Sequence, residues 1–210
     1  YDADYLASGS ACPISLSLPL QKDPFNSWET RLFFENLLQD AQNELVQKAV
    51  EEGLHPLGYN CYYIPETLLN LPGCFSVKLR APRTSSMEMG TYYMSSFNCE
   101  FTRALLERSL EGGFSFLDCI IEPFACSQMT SCIENIEKLH TCDKNGENFF
   151  VAHVDTPMKA DENAVRHMTR MCRARVLDKL NEVYGIDVSD DALRAAVKSY
   201  NEICALINEI

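Results

Sequence analysis

Three short pieces between Gly58 and Cys132 decide the fold: Gly58-Tyr-Asn-Cys61-Tyr-Tyr-Ile-Pro65-Glu66, Ser95-Ser-Phe-Asn-Cys99-Glu100 and Leu117-Asp-Cys-Ile-Ile-Glu-Pro-Phe-Ala-Cys126. In each, a cysteine stands where an extended segment or loop hands over to a helix. Pro65-Glu66 suits a first helical turn. Ser96 or Asn98 can cap a helix running to Glu111, with Gly112-Gly113 as its stop. The apolar run closed by Pro123 reads as a strand, and a helical pattern follows Cys126 to about His140. An open α/β sheet collects its ligands at such junctions. Helix N-termini also carry unpaired N–H groups and partial positive charge, which favour thiolates and an anionic cluster bound by them. A shared iron–sulfur cluster is the economical explanation, set against the ordinary role of a cysteine as a small buried hydrophobe.

Working outward, the pattern predicts strands at 57–60, 75–79, 117–121 and 149–154. Helices are expected at 65–71, after Cys99, after Cys126, at 161–184 with Gly185 as the stop, and after the cap Ser189-Asp-Asp191. A loop containing Pro82, Ser85, Ser86 and Gly90 joins the second strand to the Cys99 helix. Strands alternating with helices imply an α/β fold with a mostly parallel sheet and flanking helices. Upstream, Trp28, Leu32, Phe33, Leu37, Leu38, Leu45, Val46 and Ala49 keep helical spacing from Asp23-Pro24 to Gly53. This predicts one long amphipathic helix whose aromatic face packs on the core or on another protomer. Residues 1–22 read as an extended lead-in in which Cys12 is incidental. A polar loop over 141–148 marks a boundary. The expected division is a lead-in and helix at 1–52, an α/β domain with the cysteine site at 53–148, and the start of a second α/β domain with C-terminal helices at 149–210. No internal repeat or low-complexity tract interrupts it.

Acidic residues outnumber basic ones, 30 to 18, for a net charge of −12 and a pI near 4.7. That balance excludes a general nucleic-acid or anionic-membrane surface, so any anionic ligand requires a local basic patch. No apolar run reaches the ~18 residues of a membrane span, and no charged-then-apolar leader opens the chain, so a cytoplasmic location is expected. Ten cysteines are many for a reducing compartment yet below the density of a disulfide scaffold. The chain opens at Tyr1 and stops inside a helical pattern at Ile210, the expectation for a fragment or processed piece.

Other residues carry weaker signals. Cys74, Cys119, Cys132, Cys142, Cys172 and Cys204 lie in or beside predicted elements and read as packing residues, with Cys119 and Cys132 the best further ligands because they neighbour Cys126. Arg166, Arg170 and Arg173 form a helical stripe that reads first as a solvated face. Lys78, Arg80 and Arg83 follow a strand and are better placed to face the crevice. Glu122 and His153 close strands; each can serve as an acid or base or can be an ordinary strand-end side chain, and Asp155 follows His153.

The three cysteine pieces, with Phe149-Phe-Val-Ala-His-Val-Asp155, resemble in content and order the 2-hydroxyacyl-CoA dehydratase and benzoyl-CoA reductase family over most of residues 53–210. The third piece has Phe124-Ala125-Cys126-Ser127 in place of the commoner Asn-Thr-Cys-Asp. The resemblance implies paired flavodoxin-like α/β domains with added helices in subunits longer than this chain. It implies that Cys61, Cys99 and Cys126 hold a 4Fe-4S cluster whose fourth iron lacks a cysteine. The reaction it implies is loss of water from a 2-hydroxyacyl-CoA to give an enoyl-CoA: one electron added to the thioester carbonyl gives a ketyl radical that expels the hydroxyl and acidifies the β-proton. Glu122, His153 and Ser86 are the candidates for moving that proton. The implied partners are a second dehydratase subunit, in a heterodimer or as a self-pair, an ATP-dependent activator protein and the acyl-CoA. Lack of a GxxxxGK[ST] loop fits a component that receives electrons. The alternatives are a benzoyl-CoA reductase-like enzyme, a non-catalytic partner or electron-transfer subunit, and a metal-free α/β domain with structural cysteines.

Overall fold

A computed structural model describes residues 28–143 and 148–209. The lead-in over 1–22, Cys12 and the start of the N-terminal helical pattern lie outside the described residues.

The core is a four-stranded, all-parallel sheet in the order β2-β1-β3-β4, formed by β1 His55–Tyr59, β2 Cys74–Lys78, β3 Cys119–Pro123 and β4 Phe150–Val154. It is a flavodoxin-like arrangement in which the strand order reverses between β1 and β3. Register is fixed by pairs such as Tyr59 with Lys78, Tyr59 with Ile121, and Glu122 with His153. Phe150–Val154, assigned from sequence to the start of a second unit, pairs in parallel with β3.

Alternation along the strands divides the interior into two layers. Phe75, Val77, Leu79 and Ile120 face one layer, where they meet α2 Glu44–Glu51, α3 Glu88–Met94, α4 Glu100–Leu110 and α5 Ser127–Lys138. Leu57, Tyr59, Cys119, Ile121, Ala152 and Val154 face the other. There they meet the 3-10 turn Glu66–Leu69, α6 Glu162–Met171, α7 Asp178–Tyr184 and α8 Asp190–Asn208. A wide π-type stretch, Cys172–Leu177, joins α6 to α7. Each buried Leu or Ile of these layers contributes about 1.5–3 kcal/mol. Gly58 lets β1 lie close to β3, since a Cβ there would stand 2.9 Å from Leu117 Cδ1.

Several expectations are corrected. The single helix expected up to Gly53 is two: α1 Trp28–Leu38 and α2. Asn43 starts α2 by accepting from the N–H groups of Leu45 and Val46, each at 3.1 Å, while its amide donates to Leu37 O. Asp40, in the break, pairs with Arg108. Only α2 reaches the core; α1 buries no residue among the described ones. The helix expected at 65–71 is the 3-10 turn, and the loop around Gly90 contains α3. Gly90 is required there: a Cβ would meet Arg103 O of α4 at 2.3 Å. Neither Ser96 nor Asn98 caps α4. Cys99 itself takes the N-cap position without a side-chain bond, and the Asn98 amide turns back to Met94 O.

Candidate functional site

Cys61 lies two residues beyond β1 in a turn closed by Ile64 N–H on Cys61 O and anchored by the buried Ile64 side chain. Cys126 lies just beyond β3 and takes the N-cap position of α5, its carbonyl accepting from Thr130 N–H at 2.9 Å. Phe124 N–H, bonded to Val154 O, extends the β3–β4 pairing up to this point. β1 and β3 are the strands flanking the order reversal, so both cysteines leave the sheet where a crevice opens. Cys99 comes to this end by another route. Its N–H donates to Gln128 Oε1 at 2.8 Å, tying the start of α4 to the first turn of α5.

The cysteines fall into two environments. Cys61 is half-buried, and Cys99 and Cys126 are exposed. Cys74, Cys119, Cys132, Cys142 and Cys172 are buried. Burial pushes the Cys74 thiol up to about 12 and holds those of Cys119 and Cys132 above the ordinary thiol range. Cys204, on α8, is half-buried. Among the described residues, no three His, Cys, Asp or Glu side chains converge as the ligands of a single metal ion. A cluster asks for something different, because each thiolate binds its own iron.

Exposed aromatic rings stand beside each of the three accessible thiols: Tyr62 and Tyr63 next to Cys61, Phe97 and Phe101 around Cys99, and Phe124 before Cys126. Phe97 is 95% exposed and Tyr62 71%. The groove along α8, lined by Leu193, Val197 and Asn201, contains none of the predicted site residues.

Of the proposed proton-transfer residues, Glu122 and His153 are neighbours and Ser86 stands apart. Glu122, 1% exposed, points under α5, where the Thr130 hydroxyl donates to it at 3.2 Å. Burial raises its carboxyl to about 7, with the Thr130 bond opposing the shift. His153, its register partner on β4, stacks on Phe124 at 5.1 Å and sets Nε2 3.4 Å from Glu137; its Nδ1 is buried without a hydrogen bond. Ser86 donates instead to Glu107 Oε1 at 3.2 Å. Glu107, buried on α4, also accepts Gly90 N–H at 2.7 Å. Sequence reasoning missed Glu107 and Gln128, whose partners arrive from distant positions, and the Tyr59–Glu66 bond of 3.0 Å, for which the only signal was a carboxylate in the turn after Pro65.

A family model described as 2-hydroxyglutaryl-CoA dehydratase, D-component, matches residues 61–210. The chain belongs to this family. Members with similar sequence include the (R)-2-hydroxyglutaryl-CoA dehydratase subunit beta of Acidaminococcus fermentans, 28% identical over 79% of this chain and 44% of that protein. The (R)-phenyllactyl-CoA dehydratase beta subunit of Clostridium sporogenes is 21% identical over 84% of the chain and 45% of that protein. A benzoyl-CoA reductase subunit of Thauera aromatica is 22% identical over 73% of the chain and 39% of that protein. The chain therefore spans less than half the length of these dehydratase-family relatives. A second family model, described as HipA N-terminal domain, matches residues 1–57, ahead of the cysteine pieces.

Proposed function

We propose that this chain is the cluster-bearing part of a 2-hydroxyacyl-CoA dehydratase subunit that converts a 2-hydroxyacyl-CoA to an enoyl-CoA, with Cys61, Cys99 and Cys126 as the thiolates of a 4Fe-4S cluster. The observation that carries this reading is the placement of three cysteines: Cys61, half-buried, follows β1, and Cys99 and Cys126, both exposed, start α4 and α5, whereas Cys74, Cys119, Cys132, Cys142 and Cys172 are buried and half-buried Cys204 lies within α8. The donor set fits, since soft thiolates suit iron and the helix N-termini at Cys99 and Cys126 suit a negatively charged cluster. When bound, such a cluster supplies a low-potential electron and, at an iron without a cysteine, a Lewis acid for substrate oxygen.

The chain's own residues have separate tasks. Glu122, with its carboxyl raised to about 7, is the group able to hold or release a proton near neutral pH. His153 is fixed by the Phe124 stack and places an unpaired Nδ1 next to the Glu122 strand. Ser86 positions Glu107. The exposed rings next to these cysteines, Tyr62, Phe97 and Phe124, are where a second subunit or a second copy would dock and exclude water from the thiols. An ATP-dependent activator would supply electrons, and the whole would work in the cytoplasm; no helix among the described residues is long and apolar enough to cross a membrane. The match of residues 61–210 to a family model described as a dehydratase component supports elimination over ring reduction.

Iron and sulfide analysis with a visible spectrum, on protein purified or reconstituted without oxygen, tests this. About four irons per chain are expected. Cys61→Ser, Cys99→Ser and Cys126→Ser should each lose them while Cys132→Ala keeps them. A colourless, iron-free protein after reconstitution would sink the reading.

A further inference from the structure

The carboxyl end of β2 carries a charge feature that the cysteines do not explain. Lys78 ends the strand, and Arg80 and Arg83 bracket the turn that follows, closed by the Thr84 hydroxyl on Ala81 O at 2.9 Å. Among the described residues, none of these cations makes an ion pair with a carboxylate, in a chain with 30 acidic residues against 18 basic ones. Many basic residues elsewhere are neutralised or tied down. Arg108 pairs with Asp40 and Glu111, Lys138 with Glu134, Lys179 with Glu182 and Arg194 with Asp191. The helical stripe is also tied: Arg166 to Glu162, Arg170 to His167 and Arg173 to Val188 O.

The three cations at the end of β2 are close to the site. Tyr59 of β1 is the register partner of Lys78, and Leu79 N–H donates to Tyr59 O at 2.8 Å, so the Arg80 turn leaves the sheet beside the Cys61 turn. Lys78 Nζ sits 4.0 Å from the centre of the Tyr62 ring, one residue past Cys61. Glu66, a carboxylate on this side, already accepts from Tyr59 and Ser76. The result is a local positive patch with an exposed aromatic ring at the carboxyl end of β2, beside β1, which borders the switch point where open α/β folds bind ligands. Guanidinium groups match phosphate oxygens in paired fashion, and a flat ring offers a stacking surface for a base.

We propose that Lys78, Arg80 and Arg83, with Tyr62, bind the phosphorylated adenosine end of the acyl-CoA, leaving the thioester to reach toward the cysteines. The choice of ligand rests on the dehydratase reading; the anion site rests on the geometry alone. The test is calorimetric titration of the full chain with CoA, with dephospho-CoA and with inorganic pyrophosphate, repeated on Arg80→Ala, Arg83→Ala, the triple alanine variant and Arg170→Ala as a control. CoA is expected to bind more tightly than dephospho-CoA and pyrophosphate, with roughly a five-fold loss in each single variant and no loss in the control. Circular dichroism confirms that these variants stay folded. No CoA binding by the wild type, equal binding by the triple variant, or pyrophosphate binding as tight as CoA would each overturn the proposal. The two readings fail separately. Arginine-dependent CoA binding by a chain that takes up no iron keeps the nucleotide site and removes the cluster. Iron uptake with CoA binding indifferent to the arginines does the reverse.

Discussion

The two ends of the parallel sheet are built on opposite principles. At the amino end, polar groups are mutually engaged: His55 Nδ1 lies 2.6 Å from Asp118 Oδ2, the His55 ring packs on Tyr184 at 4.5 Å, and the Tyr184 hydroxyl donates to Asp118 O at 2.7 Å and also contacts Asn148 O. At the carboxyl end, thiols are accessible, aromatic rings face outward and the cations after β2 lack carboxylate partners among the described residues. Both ends share the same strands, so strand chemistry cannot account for the difference. One end satisfies its donors and acceptors internally; the other leaves its capacity open for something that binds.

If this contrast is right, substitutions at the two ends should separate iron content from stability. The largest effect is expected for Cys99→Ser, which should abolish bound iron while the melting temperature of the metal-free protein stays within about a degree, because an exposed side chain changes by one atom. Retained iron would break the comparison. Glu122→Gln comes next. The folded carboxyl titrates at about 7 against an ordinary value of 4.5, so between these values the folded chain keeps a proton that the unfolded chain has released. The resulting stability is present in full below pH 4.5 and is lost as pH rises through about 7. Urea unfolding at pH 5 and pH 8 should show the wild type falling by about 2–3 kcal/mol and the Gln variant nearly flat. A wild type equally stable at both pH values would remove Glu122 as a proton store.

At the amino end, Asp118→Ala should cost about 2 kcal/mol in urea unfolding by stripping His55 of its partner, with iron content unchanged. Tyr184→Phe should cost about 1 kcal/mol by the same measurement, since the ring packing survives and only the hydroxyl bond is lost. Either variant losing iron at full stability would show that the two ends are coupled through the strands.

Much of this architecture could be read in advance. The alternation of short apolar runs with helical patterns pointed to a parallel α/β sheet, and the helix stops at Gly53 and Gly185 fell where expected. The break between α1 and α2 was hidden because apolar spacing continues across 39–43, while the local bonds of Asn43 and the Arg108–Asp40 pair outweigh it. α3 was hidden because Gly90 looks like a helix breaker; its value lies in the contact with Arg103 on another helix. At the site, the helical patterns that follow Cys99 and Cys126 made their places at helix starts legible, although the caps expected before α4, Ser96 and Asn98, do not form and the helix expected after Cys61 is a 3-10 turn. What was not legible was which cysteines are buried, since burial depends on how two layers close over the sheet, and which arginines lack partners, since pairing is settled at long range.

The bond from Cys99 N–H to Gln128 has a mechanical consequence. It clamps the leading ends of α4 and α5, so a tilt of α5 that kept the bond would carry Cys99 and Cys126 as one lever, while Cys61 stays with the separate turn after β1. A partner pressing on Phe97 or Phe124 would therefore change the gap between that pair and Cys61 more readily than the gap within the pair.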